Sequence, residues 1–362
     1  MNDTKEYLSK KAKQLTPYVA GIQPQEDGWV KLNTNESPYP PSPKVVEALG
    51  SVDVAKLRLY PDGDSRTLRQ AIASDLGVGA ENIFCGNGSD EVLALAFQAF
   101  YSGKERVLTP DVSYGFYPVW GSMYDVGLEF MPIDADFSID PNGYKDANGV
   151  VIANPNAPTS LALNLSEIKK ILHQNPKGVV LVDEAYIDFA NVESALPLLK
   201  SGEHENLLIV RTFSKSHALA GMRVGYAIGS SVLIDALKRV RDAFNSYPLD
   251  MLAQTAAAAA VKDRPYLEKT IKAVTQTRDK TAARLREMGY NVLPSQTNFI
   301  FMVTPHAGSL YKHLLENKIL ARYWDTPRLI DCLRVSIGTN EDMEAFTNCA
   351  QEFTIAKQEK PR

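Results

Sequence analysis

Three short segments of this 362-residue chain are apolar at every position, and they restrict the fold more than any other feature. They are Val150–Ala153, Val179–Val182 and Leu207–Val210. A strand of this kind is buried on both faces, as in a parallel sheet that helices cover above and below. Between the first two segments, Leu165–Leu172 has its apolar residues at helical spacing. The sequence therefore predicts a βαβ series and an α/β fold.

The length predicts more than one domain, because 362 residues exceed what a single hydrophobic core usually serves. Residues 1–40 contain enough prolines to interrupt helices and strands, so we expect an arm that lies across another surface. Residues 41–245 are predicted to form a large α/β domain with a mostly parallel sheet. Residues 246–362 are predicted to form a smaller C-terminal α+β domain, with strands at Asn298–Val303 and Leu333–Ile337.

Composition and charge argue against several classes of protein. The formal net charge of -4 gives no reason to expect a nucleic acid or an anionic membrane as a partner. No apolar stretch approaches the roughly 18–20 residues that span a bilayer, and the first residues are polar. Three cysteines without CxxC spacing suit a reducing compartment. We therefore expect a cytoplasmic protein, and without an HExxH sequence or a P-loop we expect neither a bound metal nor nucleotide chemistry.

Lys215 follows the third apolar segment, at the carboxyl end of a strand, where open α/β sheets bind ligands. A lysine near other cations in a partly desolvated site favours its uncharged amine, which imine chemistry requires. The same stretch supplies the hydroxyls of Thr212 and Ser214 and the guanidinium of Arg223. Such groups suit a phosphate.

Asp183 and Tyr186 follow the second apolar segment. A turn or capping aspartate and a core tyrosine are the alternative interpretations of these two residues. A buried carboxylate needs a partner, however, and a protonated pyridine nitrogen supplies one. An amine, a carboxylate for a pyridinium and donors for a phosphate are together what pyridoxal phosphate requires. The sequence therefore predicts a site for this cofactor.

Gly88, Ser89 and Asp90 stand directly before an apolar helical stretch, Val92–Phe97. Backbone N–H groups at such a helix start are free to bind an anion. Glu91 replaces the third glycine of a dinucleotide motif, so a single phosphate fits better than a dinucleotide. An ordinary glycine-rich turn is the alternative.

Two arginines of the C-terminal third, Arg322 and Arg334, indicate an anionic substrate. Arg334 lies inside an apolar strand pattern, where its charge is unfavourable unless it meets an anion. Intramolecular carboxylates are the alternative partners. Tyr114 follows a turn and is placed to set its ring against a cofactor, and Asn154–Thr159 presents amides after the first apolar segment.

The chain resembles the fold type I pyridoxal-phosphate-dependent enzymes of the aspartate aminotransferase type, and more closely the histidinol-phosphate aminotransferase family. The resemblance runs almost end to end, and Arg211–Arg223 is its most specific part. The other segments that carry it are Leu15–Tyr18, Leu32–Glu36, Arg58–Pro61, Asp183–Tyr186 and Leu333–Thr339.

The resemblance implies a role for each of these residues. Lys215 would carry the cofactor through a Schiff base and move a proton at the substrate, Asp183 would pair with the pyridine nitrogen, and Tyr186 would bond the ring oxygen. Tyr114 would stack on the ring. The family has an amide that contacts the ring oxygen where this chain has Ala157, so Asn156 or Asn154 would supply this contact instead. The residues expected around the cofactor phosphate are Gly88, Ser89, Asp90, Thr212, Ser214 and Arg223.

The resemblance also implies a homodimer with shared active sites, because Tyr60 would reach the cofactor phosphate of the neighbouring subunit. Tyr18, Asn35, Arg322 and Arg334 would bind the substrate. The implied reaction transfers an amino group between L-histidinol phosphate and 2-oxoglutarate, yielding imidazole acetol phosphate and glutamate, in histidine biosynthesis. A threonine-phosphate decarboxylase and an aromatic amino-acid aminotransferase on the same fold are the alternatives.

Overall fold

The computed structural model describes residues 7–19, 21–24 and 26–358. The α-helices are α1 (Lys10–Gln14), α2 (Pro43–Gly50), α3 (Arg66–Leu76), α4 (Gly88–Ala96), α5 (Tyr117–Met123), α6 (Leu165–Gln174), α7 (Leu196–Lys200), α8 (Ser231–Phe244), α9 (Met251–Val261), α10 (Arg264–Glu287), α11 (Ala307–Glu316) and α12 (Asn340–Gln358). The strands are β1 (Val30–Lys31), β2 (Ile83–Asn87), β3 (Val107–Pro110), β4 (Leu128–Met131), β5 (Gly149–Ala153), β6 (Val179–Asp183), β7 (Leu207–Thr212), β8 (Val224–Gly229), β9 (Asn291–Val292), β10 (Phe299–Val303), β11 (Ile319–Leu320), β12 (Arg322–Tyr323) and β13 (Cys332–Ser336).

The main sheet has seven strands in the order β2-β8-β7-β6-β5-β3-β4. Strand β8 runs antiparallel to both of its neighbours, and the other pairings are parallel. Successive residues of the central strands enter different cores: Val180 and Val182 pack into one cluster, and Leu181 packs into the cluster on the other face. The prediction of a mostly parallel sheet that is buried on both faces is confirmed.

Helix α6 shows why the segment between β5 and β6 is helical. The side chain of Asn164 accepts a hydrogen bond from the N–H of Glu167, and the Glu167 carboxylate accepts one from the N–H of Asn164. This capping box satisfies two of the N–H groups that a helix start leaves free. Ile168, Ile171 and Leu172 are buried against the sheet. The capping box and the apolar face of α6 therefore explain why the connection between the parallel strands β5 and β6 is a helix that packs on the sheet.

The C-terminal lobe contains an antiparallel sheet of order β12-β13-β10-β9, which agrees with the two strands predicted there. Helices α10, α11 and α12 supply Leu285, Leu310 and Phe346 to the core that also contains Ile300 of β10. Helix α9, by contrast, shares the core of the main sheet. The division into three domains remains a prediction.

The N-terminal arm is more regular than its prolines suggested. It contains α1, which Ser9 caps, and β1, which pairs in parallel with β11. The ammonium of Lys11 donates a hydrogen bond of 2.9 Å to the carbonyl of Ser122 and pairs with Asp125, so the arm lies against α5 and the turn after it. Among the residues that the structure describes, no helix combines the length and the apolarity needed to cross a bilayer.

Candidate active site

A cavity of about 350 Å³ lies where β5, β6 and β7 end. The last residues of these strands, Ala153, Asp183 and Thr212, line it. The carboxyl edge of a parallel sheet is where such folds bind ligands. The structure brings many of the residues predicted from the sequence to this cavity. They are Ser89, Asp90, Tyr114, Asp183, Tyr186, Thr212, Ser214, Lys215 and Arg223.

Lys215 follows β7 and extends its ammonium group into a confined space. Its Nζ donates a hydrogen bond of 3.2 Å to the carbonyl of Thr34 and lies 5.8 Å from the centroid of the Tyr186 ring. Burial lowers the pKa of Lys215 to about 8, and the nearby positive charge of Arg334 acts in the same direction. A much larger fraction of this amine is therefore uncharged near neutral pH than for an exposed lysine. The group is suited to attack a carbonyl.

Asp183 is a buried carboxylate at the end of β6, with 5% of its surface exposed. Its Oδ2 accepts a hydrogen bond of 3.0 Å from the hydroxyl of Tyr117, and its Oδ1 accepts one of 3.2 Å from the N–H of Ala185. Burial raises the pKa of Asp183 to about 7, although these hydrogen bonds act to lower it. Within the described part of the chain, no basic side chain forms an ion pair with it. A cation placed here would offset the desolvation of the carboxylate.

The start of α4 forms one end of the cavity. Ser89 and Asp90 lie in the first turn of this helix, and the N-cap residue, Asn87, makes no side-chain capping bond. The guanidinium of Arg223 pairs with Asp90 at 3.0 Å. Gly88 has a φ of +78°, a left-handed conformation that favours glycine, and a Cβ there would lie 2.5 Å from Nη2 of Arg223. Free N–H groups beside a guanidinium suit a phosphate.

Thr212 and Ser214 line the same cavity, and both residues are buried. The Oγ1 of Thr212 accepts a hydrogen bond of 3.1 Å from the N–H of Ser214. This bond shapes the bend that carries the chain from β7 to Lys215. Each hydroxyl keeps its own O–H available as a donor.

Two tyrosines line the cavity. The hydroxyl of Tyr114 donates a hydrogen bond of 2.7 Å to Oδ1 of Asp90, and the hydroxyl of Tyr186 accepts one of 3.0 Å from Asn35. Burial is the main cause that raises the pKa of each phenol. Both tyrosines are therefore neutral near pH 7 and able to donate hydrogen bonds. Asn35 also bonds to Ser336 and thereby links the arm to both lobes.

Arg322 and Arg334 are directly opposed on β12 and β13. Arg334 donates a hydrogen bond of 2.8 Å to the carbonyl of Asn33, while its Nε is buried and without a partner among the described residues. In the same part of the chain, neither arginine forms an ion pair with a carboxylate, which was the alternative to an anionic ligand. Tyr18 lies nearby, stacked on Phe116 with 4.3 Å between the ring centroids.

Asn156 and Tyr60 are not brought to this cavity by the single chain. The amide of Asn156 donates to the carbonyl of Val112 and to Thr159, and it accepts from Ser113. Its hydrogen-bonding capacity is thus largely used by the loop itself. Tyr60 is 81% exposed and stacks on Tyr247, with the ring centroids 4.7 Å apart.

The sequence did not single out three residues that the structure places at the site. Thr34 and Glu36 line the cavity, and Tyr117 bonds to Asp183. Glu36 pairs with Lys31 at 2.7 Å. Thr34 and Glu36 flank Asn35 in Leu32–Glu36, a segment that only the resemblance to the family marks. Tyr117 begins α5, and no charged motif beside it in the sequence marks it as a site residue.

The fold and this site together define a class of enzyme. Residues 27–348 match the profile of the family described as "Aminotransferase class I and II", and the chain belongs to that class. The chain is 46% identical over 345 residues to a histidinol-phosphate aminotransferase of Brachyspira hyodysenteriae, covering 94% of this chain and 97% of the relative. It is 48% identical over 342 residues to histidinol-phosphate aminotransferase 1 of Hydrogenovibrio crunogenus, covering 93% and 95%. Within its class the chain therefore belongs to the histidinol-phosphate aminotransferase family.

A solved structure shares the fold. The histidinol-phosphate aminotransferase of Sinorhizobium meliloti, determined in complex with pyridoxal 5'-phosphate, superposes with a TM-score of 0.82 at 23% identity. The superposition covers 90% of this chain and 91% of that one. The expectation of a fold type I architecture, with a mostly parallel sheet flanked by helices, is confirmed.

Proposed function

We propose that this protein is a pyridoxal-phosphate-dependent transaminase that moves an amino group between L-histidinol phosphate and 2-oxoglutarate in histidine biosynthesis. One observation carries the proposal: Lys215 and Asp183 line the same cavity, with pKa values of about 8 and about 7. Perturbed pKa values of an amine and a carboxyl group in one cleft are typical of a catalytic site. The choice of L-histidinol phosphate as the substrate rests on the names of the similar proteins, which are histidinol-phosphate aminotransferases.

The residues of the cavity fit the cofactor. Asp183 is a buried carboxylate that a pyridinium nitrogen would complement. The start of α4, with Ser89 and Arg223 beside it, would hold the phosphate, and Thr212 and Ser214 would add hydroxyl donors. Gly88 leaves the start of α4 without a side chain, and a Cβ there would have to displace the guanidinium of Arg223.

When bound, pyridoxal phosphate supplies an electron-withdrawing ring that stabilises negative charge at the substrate α-carbon. Lys215 then takes and returns a proton at its Nζ, which a pKa of about 8 permits near neutral pH. Asp183 would face the ring nitrogen, and the hydrogen bond from the hydroxyl of Tyr117 lowers the pKa of this carboxyl group against the effect of burial. Tyr186 would donate a hydrogen bond to the ring oxygen, and Tyr114 would pack against the ring.

Arg322 and Arg334 bind the anionic groups of both substrates. The donor carries a phosphate, and the acceptor carries carboxylates, so one cationic subsite serves the two half-reactions in turn. The buried Nε of Arg334, which has no hydrogen-bond partner in the described part of the chain, is one donor that an anion would satisfy. Tyr18 and Asn35 complete this part of the site from the arm.

The active protein is a homodimer in this proposal, and it acts in the cytoplasm. Tyr60 is largely exposed in one chain, where its ring stacks on Tyr247. In a dimer it would reach the cofactor phosphate of the neighbouring subunit. Each site would then need both chains.

A donor panel with the purified holoenzyme tests the proposal. The donors are L-histidinol phosphate, L-histidinol, L-phenylalanine and L-threonine phosphate, each with 2-oxoglutarate, and both glutamate and carbon dioxide are measured. We expect glutamate formation with a kcat/KM for L-histidinol phosphate at least a hundredfold above that for L-histidinol, and no carbon dioxide from L-threonine phosphate. Equal use of the two histidinol donors, or release of carbon dioxide, would refute it.

A further inference from the structure

Two like charges oppose each other in the C-terminal sheet. Arg322 of β12 and Arg334 of β13 are register partners on antiparallel strands. Side chains at directly opposed positions project from the same face of a sheet, and like charges there destabilise the pairing. In the described part of the chain, neither guanidinium is neutralised by a carboxylate. Each arginine donates a hydrogen bond to a different backbone carbonyl of the arm, Arg322 to Val19 at 3.4 Å and Arg334 to Asn33 at 2.8 Å, and neither bond links the two cations to each other.

Trp324 contacts both arginines. The Cζ of Arg322 lies 5.5 Å from the centroid of the Trp324 ring, and the Cζ of Arg334 lies 5.6 Å from it. Both distances are within the range of cation–π attraction, for which tryptophan is the strongest partner. The ring is partly buried against a small apolar cluster that includes Leu329 and Cys332, which fixes its orientation.

A second ring restrains Arg334 further. Its Cζ lies 5.3 Å from the centroid of Phe299, so two aromatic residues contact this one guanidinium. Burial lowers the pKa of Arg334, and the positive charge of Arg322 acts in the same direction. An aromatic ring stabilises a guanidinium without cancelling its charge, whereas a carboxylate would compete with an incoming anion. The arrangement therefore preserves a double positive charge.

We propose that Trp324 is a positioning residue that determines specificity for a dianionic substrate group, namely a phosphate monoester. It holds Arg322 and Arg334 against one ring, and in this proposal both guanidinium groups bind the same phosphate. A bidentate guanidinium contact requires such fixed geometry. The identity of the substrate rests on the proposed function, but the anion affinity does not.

The first test measures inorganic phosphate binding to the holoenzyme by titration calorimetry. Trp324→Leu keeps an apolar side chain but removes both cation–π contacts, and we expect phosphate affinity to fall about tenfold. Trp324→Phe keeps an aromatic ring and should lose no more than about threefold. Tyr323→Leu is the matched control, because the neighbouring Tyr323 ring stacks on Tyr311 instead, at 5.4 Å. It should bind phosphate as the unmodified protein does.

The second test compares L-histidinol phosphate with L-histidinol as donors. Trp324→Leu should raise KM for the phosphorylated donor about tenfold and change kcat little, while KM for L-histidinol stays the same. Unchanged phosphate affinity in Trp324→Leu, or equal losses with both donors, would overturn the inference. If the unmodified enzyme does not use L-histidinol phosphate, the proposed function fails, and the calorimetric comparison still decides the role of Trp324.

Discussion

The hydroxyl of Tyr117 donates a hydrogen bond of 3.0 Å to Oδ2 of Asp183, and both side chains are buried. Tyr117 begins α5, whereas Asp183 ends β6, so the contact joins two elements that are far apart in sequence. Burial raises the pKa of Asp183, and this hydrogen bond opposes that effect. Tyr117 therefore helps to keep a negative charge where the cofactor needs one.

Replacement of Tyr117 by phenylalanine should weaken cofactor binding. A hydrogen bond to a charged group contributes about 1.5–3 kcal/mol, so the dissociation constant of pyridoxal phosphate should rise at least about tenfold. Tyr101→Phe is a suitable control, because that buried hydroxyl bonds to backbone carbonyls of β5 and β6 away from the cavity. Fluorescence titration of the cofactor-free proteins measures the difference. Equal affinity in Tyr117→Phe and the unmodified protein would contradict the account.

Asp183→Asn should change how the stability of the cofactor-free protein depends on pH. The pKa of Asp183 is about 7 in the folded protein, above its ordinary value of 3.8. The folded state thus binds more protons than the unfolded state between these values, and stability falls as pH rises from about 4 to about 7. The amide carries no charge, so Asp183→Asn should be more stable than the unmodified protein at pH 8, by about 2–4 kcal/mol.

At pH 4 the two cofactor-free proteins should unfold at nearly the same temperature, because the unmodified carboxyl group is then protonated in the folded state. Thermal unfolding followed by circular dichroism at both pH values gives the comparison. A stability difference that does not depend on pH would show that Asp183 is not forced toward its neutral form. When the cofactor is added at pH 8, the unmodified protein should instead unfold at a higher temperature than Asp183→Asn.

The rate at which the cofactor-free protein captures pyridoxal phosphate should increase with pH, with a midpoint near 8. The reaction needs the uncharged amine, and burial lowers the pKa of Lys215 to about 8, helped by the charge of Arg334. Arg334→Met removes that charge but not the burial, so the midpoint should move up by about half a unit to one unit. Stopped-flow absorbance from pH 6 to pH 10 measures it. A midpoint that moves down, or does not move, would be inconsistent with this electrostatic coupling.

Mixed dimers test the predicted role of Tyr60. We expect Lys215→Ala to be inactive and Tyr60→Ala to bind the cofactor about tenfold more weakly, since a phosphate contact is lost. Suppose that Tyr60 acts across the interface, and that a dimer contains one chain of each variant. One site then lacks both Lys215 and Tyr60, and the other site has both residues intact. Such mixed dimers should show one high-affinity cofactor site per dimer. If Tyr60 acted within its own chain, no site of normal affinity and activity would form.

Much of the fold could be predicted from local pattern. The apolar segments that became β5, β6 and β7 indicate a parallel sheet because only strands with two buried faces can be apolar throughout. Their carboxyl ends then locate Asp183 and Lys215 at one edge. The short β1 was not predicted, because it depends on pairing with β11, almost 290 positions later.

The site was predictable where function depends on residues next to strand ends, and not where it depends on long-range packing. The carbonyl of Thr34 meets Lys215 across 181 positions, and Tyr117 meets Asp183 across 66. No periodicity carries such information. Trp324 was missed for a related reason: its significance comes from the register that opposes Arg322 to Arg334, which the separate strands do not reveal.

The most direct test of the central claim is to trap the cofactor on its lysine. The purified holoenzyme is reduced with sodium borohydride, digested, and analysed by mass spectrometry. We predict a pyridoxyl phosphate group on the peptide that contains Lys215, and its loss in the Lys215→Ala variant. An unlabelled Lys215, with the group on another lysine or on none, would contradict the account.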